Sequence, residues 1–290
     1  MNDAVSEGRR GSARSADGTA IGYRSLGTGP GLVVVGGALR SGRDYRELGA
    51  QLAAHATVHL VDRRGRGESG PQGAAYGLQR EVEDLLAVQA ATGARWAFGH
   101  SYGGLVVLEC LRRHPVFSRV ALYEPGVSSG PFPTDWMPGY RRRLVEGDEH
   151  GAFAEFLRGS GGAPAVVRRM PFWYLRLVLR IGFRGEAWRR VRELLPANLA
   201  EHEQVGARAG HLADYAEVGT PVLLLHGSRT PTTDRTFDEL AAVLPACTHV
   251  TLPGLDHFGP EGRSAARVAG AVRAFLADDE VRQQGGRAGR

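Results

Sequence analysis

Gly31-Leu-Val-Val-Val-Gly36 is an apolar run bracketed by glycines. A strand with one wet face alternates apolar and polar side chains, so a run without alternation belongs to a strand covered on both faces. The same signature returns at residues 58–61, 96–98, 120–123 and 222–225, with a less apolar version at 249–252. Between these runs the apolar period changes to that of a helix. Tyr45, Leu48 and Leu52 share a face, as do Val82, Leu85 and Leu86, and Leu105, Leu108 and Leu111. Phe237, Leu240 and Leu244 precede the last run, and Val268, Val272 and Phe275 follow it. Buried strands alternating with amphipathic helices predict an α/β fold with a mainly parallel sheet packed on both faces.

Ahead of the first run, two short extended segments flank Asp17-Gly18, a dipeptide that tolerates the positive φ of a tight hairpin. The alternation fails between residues 126 and 219, where no buried strand run occurs. Prolines, tryptophans and arginines mix there with helical patches at 140–145, 153–157 and 172–183, which predicts a helical insertion at the C-terminal edge of the sheet. Residues 1–11 and 278–290 are polar, rich in Gly and Arg, and are expected to be disordered. The core is therefore expected over 12–125 and 220–277, with the insertion over 126–219.

The formal net charge of +5 comes from scattered arginines and reads as a solvated surface, so neither nucleic acid nor a membrane is an expected partner. Cys110 and Cys247 form no CxxC pair, which leaves a metal site or disulfide framework unsupported. The first 14 residues contain no apolar stretch of the kind a secretory signal carries, and a cytoplasmic protein is expected.

Gly99-His100-Ser101-Tyr102-Gly103 matches G-x-S-x-G, but so does Gly126-Val127-Ser128-Ser129-Gly130. Context separates them. Ser101 follows an apolar run and precedes an apolar helical stretch that ends at Pro115, the strand–turn–helix setting of a nucleophile elbow. Ser128 runs into Gly130-Pro131-Phe132-Pro133, where no helix can start in register. In the elbow reading, the Tyr102 N–H opens a helix and lies where the dipole favours an oxyanion.

Together with four further segments this elbow resembles the α/β-hydrolase family, in its serine esterase form with a cap domain. Val33-Val-Val-Gly-Gly-Ala38 is similar to the strand that ends in the family's oxyanion loop, with Gly36 where histidine is common. Asp62-Arg63-Arg64-Gly65-Arg66-Gly67-Glu68-Ser69 resembles its D-x-R-G-x-G-x-S segment. Leu223-Leu-Leu-His-Gly-Ser228 resembles the strand that usually delivers an acid, and Leu252-Pro-Gly-Leu-Asp-His-Phe258 the segment that delivers a histidine. The resemblance implies an eight-stranded sheet, a variable helical cap after the sixth strand, and a second oxyanion donor from Ala38. It also implies a structural role for residues 62–69.

Of ten histidines, His257 is the last, placed after the final strand as the family's chain order requires of the general base. His100 adjoins the nucleophile but is expected to point into the flank of the elbow, and His226 is a candidate for lining the pocket. The acid departs from the pattern, because Thr230 stands at its usual position. Three readings remain. Glu124 ends the sixth strand, Asp234 lies four residues past Thr230, or no acid exists.

The implied chemistry is acyl transfer from a carboxylic ester through Ser101, His257 and an acid, with no metal or organic cofactor and a small, partly apolar substrate. Cap aromatics Phe132, Trp136, Met137, Trp173, Tyr174 and Trp188 either line a pocket or form the cap's own core. Two rivals stand beside this. One is a hydrolase scaffold that binds or transforms a small molecule with little hydrolysis. The other uses residues 172–183 as an amphipathic helix at a membrane surface.

Overall fold

The computed structural model describes residues 8–230 and 234–287, the side chains of Asp234 and of 278–287 excepted. Eight strands form one sheet in the order β1-β2-β4-β3-β5-β6-β7-β8. These are β1 (Arg9–Arg14), β2 (Ala20–Leu26), β3 (Gly31–Val35), β4 (Thr57–Val61), β5 (Trp96–His100), β6 (Arg119–Tyr123), β7 (Val222–Gly227) and β8 (Cys247–Leu252). β1 and β2 form the antiparallel hairpin around Asp17-Gly18, and β2 runs antiparallel to β4. From β4 to β8 every neighbouring pair is parallel.

The α-helices are α1 (Arg46–Leu52), α2 (Leu78–Thr92), α3 (Tyr102–Arg113), α4 (Met137–Val145), α5 (Glu149–Gly159), α6 (Ala165–Arg169), α7 (Phe172–Gly182), α8 (Gly185–Ala207), α9 (Asp234–Val243) and α10 (Ala265–Arg287). Alternate residues of β3 face opposite layers. Val33 and Val35 belong to the apolar layer that α2, α3 and α9 complete, whereas Leu32 and Val34 belong to the layer of α1 and α10. This is the physical content of the unbroken apolar run, since both sides of the strand are covered.

Two boundaries differ from the sequence expectation. Residues 9–11 belong to β1, because pairing with β2 satisfies a backbone whose side chains alone give no apolar signal. At the other end α10 runs on to Arg287, past the expected limit at residue 277. Residues 1–7 and 288–290 lie outside the described residues.

All of α4 to α8 lies between β6 and β7. Trp136, Met137, Tyr140, Phe153, Trp188 and Leu195 form their own apolar cluster, and Leu39 from the loop after β3 joins it. Of the six apolar residues singled out in this region, Trp136, Met137 and Trp188 are core and Phe132 packs against it. Trp173 and Tyr174 point to solvent and fit neither expectation. The sequence patterns did not announce α8, a 23-residue helix with Pro196 inside it.

Candidate active site

Among the described residues, three non-glycine residues have positive φ: Leu39 at 56°, Ser101 at 52° and Glu124 at 43°. Such conformations cost about 1–3 kcal/mol each and persist only where the surroundings enforce them. All three lie just beyond the C-terminal ends of neighbouring parallel strands, β3, β5 and β6. That edge is where open α/β sheets place their ligands.

Ser101 caps α3 directly after β5, and its carbonyl accepts from Gly104 N at 2.8 Å and from Gly126 N at 2.7 Å. The turn is tight because glycine permits it. A Cβ on Gly103 would lie 2.2 Å from the Val35 carbonyl oxygen, so any larger residue would push the elbow off β3. Tyr102 opens α3, where an N–H has no carbonyl of its own helix to reach. Ser128 sits in the loop after β6, its hydroxyl donating to Gly130 O at 2.8 Å.

Glu124 follows β6, where its N–H donates to Leu225 O at 2.9 Å. The buried side chain then reaches across to β7 and beyond. Oε1 accepts from the Gly227 N–H at 2.9 Å, and Oε2 lies 2.7 Å from His257 Nδ1. Gly227 ends the strand that usually supplies the acid, so Glu124 occupies that space from the neighbouring strand. Thr230 N–H turns back to Gly227 O at 3.1 Å. Asp234 begins α9, and its side chain lies outside the described residues.

The backbone around His257 is pinned from below. Tyr123 Oη donates to Asp256 O at 2.6 Å, and His100 Nε2 is 2.8 Å from His257 O. A carbonyl only accepts, so the proton of His100 is on Nε2 and its Nδ1 accepts from Tyr45 Oη at 2.6 Å. Burial holds the His100 pKa well below its ordinary value, which keeps the ring neutral and this relay intact. Tyr45 Oη in turn accepts from the Gly37 N–H at 2.9 Å. His100 thus ties the loop after β3 to the loop after β8. It points into the flank of the elbow, as expected, and its ring centroid lies 4.9 Å from that of His257. His226 turns the other way, toward β8, with Nδ1 2.9 Å from His249 Nε2.

The loop after β3 is held by arginines. Arg63 Nε donates to Gly36 O at 2.9 Å and its Nη2 to Gly37 O at 3.0 Å, while Arg66 Nη1 donates to Arg40 O at 2.9 Å. In a trans peptide the N–H points opposite to the C=O. With Gly37 O turned toward Arg63, the Ala38 N–H is turned away from it. The Gly37 N–H is already committed to Tyr45. A Cβ on Gly37 would come within 3.0 Å of Ser101 Cβ, so this loop lies directly against the elbow.

Both arginines are buried and neutralised. Arg63 pairs with Glu81 at 2.7 Å and with Glu201 at 2.9 Å, and Arg66 pairs with the other Glu201 oxygen. Glu201 comes from α8 and is 0% exposed. Burial alone would raise its pKa, but Arg63 and Arg66 outweigh burial and hold it below the ordinary carboxylate value. The insertion is therefore clamped to the loop that carries Ala38. Glu201 escaped the sequence reading because a glutamate among other polar residues, beside His202 and Glu203, reads as surface. The available signal was the arginines at 63, 64 and 66, whose segment was expected to be structural but whose acidic partners the sequence did not name. Glu201→Gln should leave two buried guanidinium groups short of one negative charge and cost about 3–5 kcal/mol of stability. Urea unfolding of the variant against the parent measures it; an unchanged midpoint would show that the clamp contributes nothing.

Among the described residues, no cluster of three or more His, Cys, Asp or Glu side chains is arranged to hold a metal ion. A sharply turned serine after a central parallel strand, on the same strand edge as a histidine bonded to a buried carboxylate, is the arrangement that hydrolases of the α/β class share. The chain belongs to the alpha/beta hydrolase family, whose model matches residues 32–271. It is similar to an alpha/beta hydrolase from Sphaerobacter thermophilus, with 29% identity and a TM-score of 0.78 over 92% of this chain and 100% of that one. An esterase from Rhodococcus sp. ECU1013 is 25% identical with a TM-score of 0.60, covering 92% of this chain and 98% of that one. A pimeloyl-[acyl-carrier protein] methyl ester esterase from Klebsiella pneumoniae is 37% identical over 110 residues, which are 37% of this chain and 40% of that protein. The chain thus matches about two fifths of the length of that curated relative.

Proposed function

We propose that the protein is a serine esterase in which Ser101 is the nucleophile, His257 the general base and Glu124 the acid that orients it. The observation that carries this reading is the 2.7 Å contact between Glu124 Oε2 and His257 Nδ1 on the strand edge that presents Ser101. A buried carboxylate on Nδ1 keeps the imidazole proton there and leaves Nε2 free to accept the serine proton. Ser101 Oγ attacks the ester carbonyl, and the N–H groups of Ala38 and Tyr102 hold the oxyanion. His257 then protonates the departing alcohol. Water, deprotonated by the same nitrogen, releases the acid from the acyl-enzyme.

The bond class draws support from relatives named as an esterase and a methyl ester esterase. The substrate class proposed is a small, partly apolar ester. A fluorophosphonate reagent should modify Ser101 and not Ser128, as read by mass spectrometry of the labelled peptide. A panel of p-nitrophenyl esters of increasing chain length should then be turned over with a preference among short to medium acyl groups. No labelling of Ser101 together with no turnover of any ester would overturn the proposal.

A further inference from the structure

Helix α7 carries an apolar face that the rest of the protein leaves in solvent. Trp173 is 68% exposed and Ile181 57%, and Leu177 lies on the line between them. Tyr174 and Val178 widen this line to a continuous exposed arc. Single exposed apolar residues are ordinary, but five on one arc of one helix are not.

The opposite side of α7 is firmly seated. Leu175 is buried, Arg176 Nε lies 2.9 Å from Asp148 Oδ1, and the Arg143 guanidinium stacks over Phe172 at 4.1 Å. The helix is thus held with its apolar arc directed outward. Beyond the Asp148 contact, the chain segment that carries the helix is basic. Residues 156–185 contain six arginines and no Asp or Glu. Arg176 is paired with Asp148, while Arg158, Arg168, Arg169, Arg180 and Arg184 have no carboxylate within ion-pairing distance among the described residues.

We infer that this face of α7 docks onto an anionic lipid surface. Tryptophan and tyrosine favour the boundary between headgroups and acyl chains, and arginines beside them meet lipid phosphates. A segment with five arginines that pair with no carboxylate among the described residues fits an anionic bilayer better than it fits a second copy of itself, because two such segments would repel. This contact differs from the expectation of no membrane partner, which rested on net charge and could not show which apolar residues face out. It is separate from bilayer spanning: among the described residues no helix is long and apolar enough to cross a membrane.

The four tryptophans make the test direct. Trp96, Trp136 and Trp188 are buried and Trp173 alone is exposed. The full chain is titrated with phosphatidylcholine vesicles with and without phosphatidylglycerol, following tryptophan emission and cosedimentation. With phosphatidylglycerol, the Trp173 emission should shift to the blue and the protein should sediment. Binding should fall about tenfold or more in Arg180→Glu/Arg184→Glu and in Leu177→Ser/Ile181→Ser. It should also weaken as salt shortens the Debye length from about 10 Å at 0.1 M to about 3 Å at 1 M. Hydrolysis of a soluble ester should be unchanged in both variants, so a failure here is distinct from a failure of the esterase reading. No vesicle-dependent shift would overturn the inference. So would a dimer in sedimentation equilibrium that Leu177→Ser/Ile181→Ser dissociates, because a second copy would then cover the face.

Discussion

Ser101→Ala, His257→Ala and the double variant are expected to fall to nearly the same residual activity, each about a millionfold below the parent in kcat. The reason is that the two side chains perform one act. An imidazole without a hydroxyl to deprotonate does nothing for the attack, and a hydroxyl without its base is a poor nucleophile at neutral pH. Removing the second partner after the first therefore costs almost nothing more. The residual rate should come from the backbone donors and substrate binding, which neither substitution touches. The measurement is kcat on the best ester of the panel for all four proteins. Losses that multiply in the double variant would mean that the two residues act independently, and the pairing of Ser101 with His257 would have to be abandoned.

Glu124→Gln should lower kcat by about 10⁴ with little change in KM. The amide has the shape of the carboxylate and can keep its bond from the Gly227 N–H, so the fold is retained. The atom facing His257 Nδ1 decides the outcome. If the amide nitrogen faces it, that nitrogen donates to Nδ1 and drives the ring proton to Nε2, where it blocks acceptance of the serine proton. In either orientation the imidazolium formed during attack loses its compensating charge. The carboxylate it replaces is 1% exposed, so water offers little substitute. Asp234→Asn, by contrast, should leave kcat within a factor of about two, because Glu124 already holds His257 Nδ1. Circular dichroism of both variants controls for folding. Full activity in Glu124→Gln would remove Glu124 from the mechanism and return the choice to Asp234 or to no acid.

The strands and the elbow were legible because their causes are local. An unbroken apolar run has to be covered on both faces, and β3, β5, β6 and β7 are. The serine at 101 was separable from the serine at 128 because only one is followed by a helix-forming run. Glu124 could be named as a candidate because a carboxylate ending a buried strand demands a partner. His257 was named from the family's chain order, and that Glu124 meets it across 133 positions of chain was beyond any local pattern.

Other features depended on what met what. Trp173 and Trp136 are the same residue type in the same insertion, yet one faces water and the other packs against Tyr140. Helix α8 contains Pro196, which argues locally against a helix, yet its buried residues and the Glu201 clamp hold it. His226 was a candidate for the pocket on strand position alone, and its orientation toward His249 was set by the pairing of β7 with β8.

By itself the sequence determined the α/β sheet and the bend at Ser101, because apolar periodicity and the sterics of glycine act over a few residues. The tertiary structure alone decided which carboxylate meets the histidine, that Glu201 of α8 braces the loop carrying Ala38, and which apolar face of α7 is left uncovered. Those outcomes follow from long-range contacts between side chains, and a charge or an aromatic ring carries no mark in the sequence of which distant group it will touch.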